Sequence, residues 1–243
     1  MTKKFFIENL KTLFYALIIA IFIRSIFIQP FYIPSSSMEP NLLVGDRLFV
    51  TKFSYGYSKH SFPFSPPLFD GRIIPKLPKR GDVIVFKTPA DNRTDYIKRL
   101  IGFPGDEIQF IEGELFINKE KIFKEKIEIS INIKCADTNS EVNFYQEELP
   151  NMKKYTVAYS KTGSMINSDS YTVPDKHYFF LGDNRDCSRD SRFLSSVGYV
   201  HEDNLVGKAQ IIFFSNDTNK GSFFKFWNWG NSIRFDRFFK KLK

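Results

Sequence analysis

The chain has 243 residues, 42% of them hydrophobic and 26% charged, enough for one sizeable folded domain plus an appendage or two small domains. Its net charge of +8 sits at the two ends: residues 1–11 hold +2, residues 220–243 hold +6, and the stretch between them carries as many acidic as basic side chains. A basic stripe across the fold is thereby excluded, and generic nucleic-acid binding with it. The two cysteines, Cys135 and Cys187, exclude a disulfide-dense scaffold and a Cys-rich metal centre.

The first 29 residues contain neither Gly nor Pro, whereas the rest of the chain holds all 13 Gly and all 12 Pro. Within that opening stretch, Thr12 to Ile28 carries a single charge, Arg24. As a helix it would be roughly 25 Å long, slightly short of a hydrocarbon core of about 30 Å, with Lys11 and Arg24 able to snorkel. It is apolar on every face, unlike a core helix with one apolar stripe. No small-x-small cleavage site comes after it, only bulky residues and then Pro30, unlike a cleaved signal peptide. The expectation is an uncleaved signal anchor at 12–28, residues 1–11 cytoplasmic and 29–243 on the far side of the membrane.

From Leu42 onward, short runs rich in Val, Ile, Phe and Tyr alternate with Gly-Asp and Pro-Gly punctuation, which predicts a mostly β domain. Ser58 to Pro78, with five prolines and a glycine, reads as a loop suited to lying on a membrane or covering a sheet edge. Residues 119–170 are richer in Lys, Glu, Asn and Ser and read as an inserted smaller β subdomain.

His60, His177 and His201 form no HxxxH pair and read as ordinary surface or turn histidines. The run Pro34-Ser-Ser-Ser-Met-Glu-Pro40 holds Ser37 nine residues past the anchor, so it stays within roughly 30 Å of the membrane exit at about 3.6 Å per residue. If Asp95 to Ile101 is a strand, Tyr96, Lys98 and Leu100 share one face while Asp95 and Arg99 take the other. Lys98 then loses its nearest carboxylate in sequence and lies among apolar and aromatic groups, where desolvation favours a neutral amine able to act as a base toward a serine hydroxyl.

The ordered set SSSMEPNLLVGD, RGDVIVFKTP, YIKRLIGFPGDEI and LGDNRDCSRDSR behind a membrane anchor resembles the type I signal peptidases. The resemblance covers about 30–110 and 172–212. It implies a signal-peptidase-like β fold and a serine endopeptidase that removes signal peptides from preproteins after Ala-x-Ala-like sites, with no cofactor and no metal. By that similarity Ser37 is the nucleophile, Lys98 its general base, and Ser35 joins the Ser37 N–H in the oxyanion hole. Ser188 orients Lys98, with Asp190 and Arg192 as a supporting polar pair; Tyr96 and Met38 shield the amine. Phe31, Ile33, Met38, Leu42, Val85 and Ile97 are expected around shallow apolar pockets for the small substrate residues. Cys187 departs from the Asn found at that position in many relatives. The implied location is a bacterial inner membrane, with the catalytic domain extracytoplasmic. The basic, aromatic tail 220–243 is expected to touch anionic lipid there. Two other functions weighed against this are a self-cleaving repressor-type protease, which lacks support from a DNA-binding module here, and a catalytically silent peptide-binding β domain.

Overall fold

A computed structural model describes residues 3–128, 133–135, 138–161, 166–217 and 229–242. The tail residues 220–228, Trp227 among them, lie outside that set. The first element, helix α1 (Lys3–Ile26), has 24 residues, roughly 36 Å of helix. Its segment Phe5–Ile26 is long and apolar enough to cross a membrane, and its apolar side chains are exposed on all sides. The apolar helix is therefore longer than the expected 12–28 at its start and ends two residues sooner. Strand pairing causes the early end: Ile28 already pairs with Thr51, and the Phe27 carbonyl accepts from Lys52 N–H.

Strand β1 (Ile28–Tyr32) is the terminal strand of the main sheet, a position that tolerates Pro30 and its missing N–H. Next to it lies β2 (Asp46–Thr51), whose residues alternate buried and half-buried, the period-2 signature of a strand with one packed face. The sheet continues through the strand Leu205–Ser215, then β3 (Val83–Lys87), β4 (Asp95–Gly102), the strand His177–Leu181 and the short Val200–His201. Every pairing along this path is antiparallel. β4 departs from alternation: from Lys98 to Gly102 every residue is buried, because both of its faces are covered.

A four-stranded sheet combines Tyr171–Thr172, Glu107–Ile111, Glu114–Ile117 and Glu120–Lys121. Residues 119–170 supply a three-stranded sheet of Phe123–Ile127, Val142–Glu148 and Lys154–Ser160, and a hairpin of Ile133–Cys135 with Thr138–Ser140. Leu149, Tyr155 and Val157 from this region pack in one apolar cluster with Ile101, Phe179 and Leu181 from the main sheet, so residues 119–170 share a core with the strands of that sheet.

Candidate active site

Residues Ser36–Met38 form a single 3-10 turn leaving the β1 edge. The turn is closed by Glu39 N–H to Ser36 O, and its flanks are tied by Leu42 N–H to Met38 O, Ile33 N–H to Asp46 O and Gly45 N–H to Ile33 O. Gly45, at φ +96°, lies so close to the Asn216 carbonyl that a Cβ would sit 1.8 Å from its oxygen. Across the site, Asn184 N–H donates to Ser37 O at 3.1 Å and its side-chain amide donates to Ser36 O at 3.2 Å. The serine turn is thus held from both ends by bonds to its main chain rather than by its own side chains.

β4 delivers Lys98 to this turn. Its Nζ lies in a 2.6 Å hydrogen bond with Ser37 Oγ, and both residues are buried. The face expected from alternation is the one observed: Lys98 lies opposite Ile84 and Tyr96 opposite Phe86 in the register with β3, and Nζ is 5.5 Å from the Tyr96 ring centroid. Burial pulls the ammonium down to about 8; Asp190 and Asp183 oppose that shift and Arg192 adds to it. The sum is an amine that is partly neutral at ordinary pH and in contact with a hydroxyl, the arrangement needed to accept a serine proton.

Ser35 Oγ is 3.3 Å from Ser37 Oγ. Ser188 is buried too, but its Oγ has no hydrogen-bond partner, so the expected bond to Lys98 is not made in this structure. Ser188 packs over Gly182, where a Cβ would meet its Oγ at 2.1 Å and the Ser37 carbonyl at 2.5 Å. Asp190 and Arg192 form the expected polar pair, two-pronged at 2.8 and 2.9 Å. Asp190 also accepts from Gly182 N–H at 2.9 Å, so the pair holds the glycine on which Ser188 and the serine turn converge.

A cleft of about 590 Å³ opens over Ser35, Ser37 and Lys98, and Phe31, Ile33, Val85 and Ile97 line it together with Tyr96 and Cys187. Met38 and Leu42 do not. Both are fully buried in the cluster of Ile33, Leu48, Val50 and Val85 beneath the turn, where Met38 anchors the turn from below instead of touching a ligand.

Several residues around the cleft carry no signal in a motif-by-motif reading. Asn41 donates to Asp183 Oδ2 at 2.7 Å and to Thr156 O at 2.6 Å, while Asp183 receives two bonds of 2.7 Å from Arg99. Arg185 is gripped by Glu147 through two bonds of 2.6 Å and by the hydroxyls of Tyr155 and Tyr159. Cys187 is joined to Cys135 in a disulfide, and its Sγ lies 3.6 Å from Ser36 Oγ. The LGDNRD run is the one available sign, since a dense polar string in a β-rich chain has to find buried partners. Which partners it finds is a matter of folding. Among the described residues no group of three or more His, Cys, Asp or Glu is placed to hold a metal ion.

Residues 6–214 match the family model "Signal peptidase, peptidase S26". A Signal peptidase I of Rickettsia bellii is 41% identical over 97% of this chain and 85% of that protein. One from Rickettsia typhi is 38% identical over 99% of this chain and 96% of that protein. A crystal structure of a signal peptidase I from Enterococcus faecalis is 26% identical, covering 55% of this chain and 97% of that one, with a TM-score of 0.32.

Proposed function

The chain belongs to the signal peptidase, peptidase S26, family of serine proteases, and from that premise we propose that it cleaves signal peptides from preproteins after Ala-x-Ala-like sites with a Ser37–Lys98 dyad. The observation that carries this reading is the 2.6 Å contact between a buried lysine amine and a buried serine hydroxyl beneath an open cleft. Neutral Lys98 takes the proton of Ser37 as Oγ attacks the scissile carbonyl. The resulting ammonium returns that proton to the leaving amine, and the free amine then activates the water that releases the acyl group.

The oxyanion is stabilised by the Ser37 N–H and the Ser35 hydroxyl, which need only turn toward the cleft. Ser188 contributes after proton transfer. A lysine ammonium has three N–H donors, and the unpartnered Ser188 Oγ is an acceptor held in reserve for one of them. The apolar residues Phe31, Ile33, Val85 and Ile97 suit small side chains at positions −1 and −3, because a shallow pocket excludes larger ones by overlap. Substrate lies extended along the cleft, adding main-chain hydrogen bonds to a strand edge.

α1 anchors the protein in a bacterial inner membrane with the Lys-rich start on the cytoplasmic side, and the cleft serves substrates presented at the opposite face. The test is cleavage of an Ala-x-Ala preprotein by purified wild type, Ser37→Ala and Lys98→Met. Loss of at least roughly 10⁴-fold in each variant is expected; near-normal cleavage by either one, or none by the wild type, rules the mechanism out.

A further inference from the structure

A second cleft, of about 500 Å³, lies between the loop around Lys59 to Pro67 and the turn joining β3 to β4, and it is lined by Lys59, His60, Phe64, Ser65, Asp91 and Arg93. Its lining is cationic in a usable sense. Among the described residues, the side chains of Lys59 and Arg93 have neither a hydrogen bond nor an ion pair. Asp91 is the acidic member, and its carboxylate is already taken by the turn: Oδ1 accepts from the N–H groups of Arg93 and Thr94 at 2.9 Å each, and Oδ2 from the Thr94 hydroxyl at 2.5 Å.

The floor of the cleft corrects the reading of His60 as an ordinary surface or turn histidine. The residue sits in a turn but is only 4% exposed. Its Nδ1 is bonded to Ser65 Oγ at 2.9 Å, while Nε2 is buried with no partner. Burial, followed by the charges of Lys59, Lys87 and Arg72, pushes the imidazole down to about 4, so the ring is neutral. Its Nε2 makes no hydrogen bond in either tautomer that the Nδ1–Ser65 contact allows. Lys52, itself 2% exposed, donates to Ser61 O at 2.5 Å.

The surroundings identify the anion. Phe64 is fully exposed and Leu68 is 68% exposed beside the cleft, so an apolar surface adjoins the cationic one. The chain leading into this loop is fastened to the end of the apolar helix: Tyr57 Oη donates to Ile26 O at 3.0 Å and Lys52 N–H to Phe27 O at 3.0 Å. Unpaired cations and bare aromatic surface at the end of a helix long and apolar enough to span a membrane match a phosphate that carries acyl chains. We propose that this cleft binds the phosphate headgroup of an anionic phospholipid, with Phe64 and Leu68 dipping into the acyl layer. The proposal rests on α1 lying in a membrane and is independent of the peptidase chemistry, because none of these residues touches the Ser37 cleft.

The test uses the full-length chain in maltoside micelles, titrated with dihexanoyl phosphatidylglycerol or with inorganic phosphate and followed by phosphorus NMR. Wild type is expected to bind the lipid saturably. K59Q/R93Q should bind it roughly 30-fold more weakly, at about 1 kcal/mol for each cation near an anionic headgroup. Phe64→Ser should weaken the lipid but not inorganic phosphate. Unsaturable lipid binding, equal affinity of wild type and the double variant, or inorganic phosphate binding as tightly as the lipid would each overturn the proposal. Cleavage of an Ala-x-Ala peptide by the same samples separates the two readings: K59Q/R93Q should cleave normally, and a wild type that binds lipid but does not cleave sinks only the peptidase mechanism.

Discussion

A lysine buried beside a serine sits between two opposed requirements, since the folded chain must desolvate the amine for it to act as a base, and desolvation costs stability whenever the amine is charged. Lys98 falls from an ordinary value of 10.5 to about 8, so activity should rise with pH to a plateau above about 8 and decline tenfold per pH unit well below it. A flat rate between pH 5 and 9 would exclude Lys98 as the base. Linkage supplies a second expectation. Between about 8 and 10.5 the unfolded chain binds the proton that the folded chain has released, so stability attributable to this group rises with pH there; below 8 the full penalty is present, about 3 kcal/mol. Lys98→Met removes it. Denaturant unfolding at pH 7 should therefore show the inactive variant more stable than wild type, with the difference vanishing as pH approaches 10.5. At the same scale, Ser35→Ala should lower kcat by roughly 10²–10³ with little change in KM, the mark of an interaction made only in the transition state. An equal loss in a KM-only form would mean that Ser35 binds substrate instead.

At the scale of elements, two segments far apart in sequence are clamped onto the loop Gly182–Arg192. The first is the strand pair that presents Glu147, Tyr155 and Tyr159 to Arg185. Removing one partner of a buried pair strands the other charge, so Glu147→Gln should cost about 3–5 kcal/mol by denaturant unfolding and lower kcat along with it; a variant of unchanged stability would show that the pair is dispensable. The second is the Cys135–Cys187 disulfide, spanning 52 residues. Closing a loop of that length stabilises by about 2–4 kcal/mol through the unfolded state, so a dithiol reductant should lower the denaturation midpoint of wild type and leave a Cys135→Ser/Cys187→Ser protein unmoved. The β4 strand and the face that Lys98 shares with Tyr96 were legible in the sequence because alternation is a local property. The Glu147–Arg185 grip and the disulfide were not, because nothing in either segment's own pattern names its partner.

For the molecule as a whole, the split of charge between the ends acquires structural detail. Part of the basic tail is not free for lipid. Arg237 is buried in a two-pronged pair with Asp46 at 2.9 and 2.6 Å and donates to Asn41 O, and Arg234 donates to Val44 O. These two arginines brace the loop after Ser37. The exposed Phe235, Phe239 and the Lys240–Lys241 pair remain available to a membrane surface. No strand pairing of the main sheet involves residues 1–26, so a protein lacking them is expected to cleave a soluble peptide at the wild-type rate. With α1 as the anchor proposed above, it should process a vesicle-bound preprotein far more slowly than wild type; equal rates on both substrates would deny α1 that role.

The apolar helix and the β character of the rest of the chain were readable from the residues alone, and ordered motifs singled out Ser37 and Lys98, the pair the fold brings to 2.6 Å, because length, periodicity and motif order are read along one dimension. Tertiary structure alone decided that Met38 and Leu42 lie beneath the cleft instead of lining it, that Ser188 keeps an unpaired hydroxyl over Gly182, that Cys187 is cross-linked, and that His60 sits under a cationic cleft. Each of these depends on which distant segment fills the space beside a residue. That choice is made by close packing and by the need to satisfy buried polar groups, and neither leaves a periodic trace in the chain.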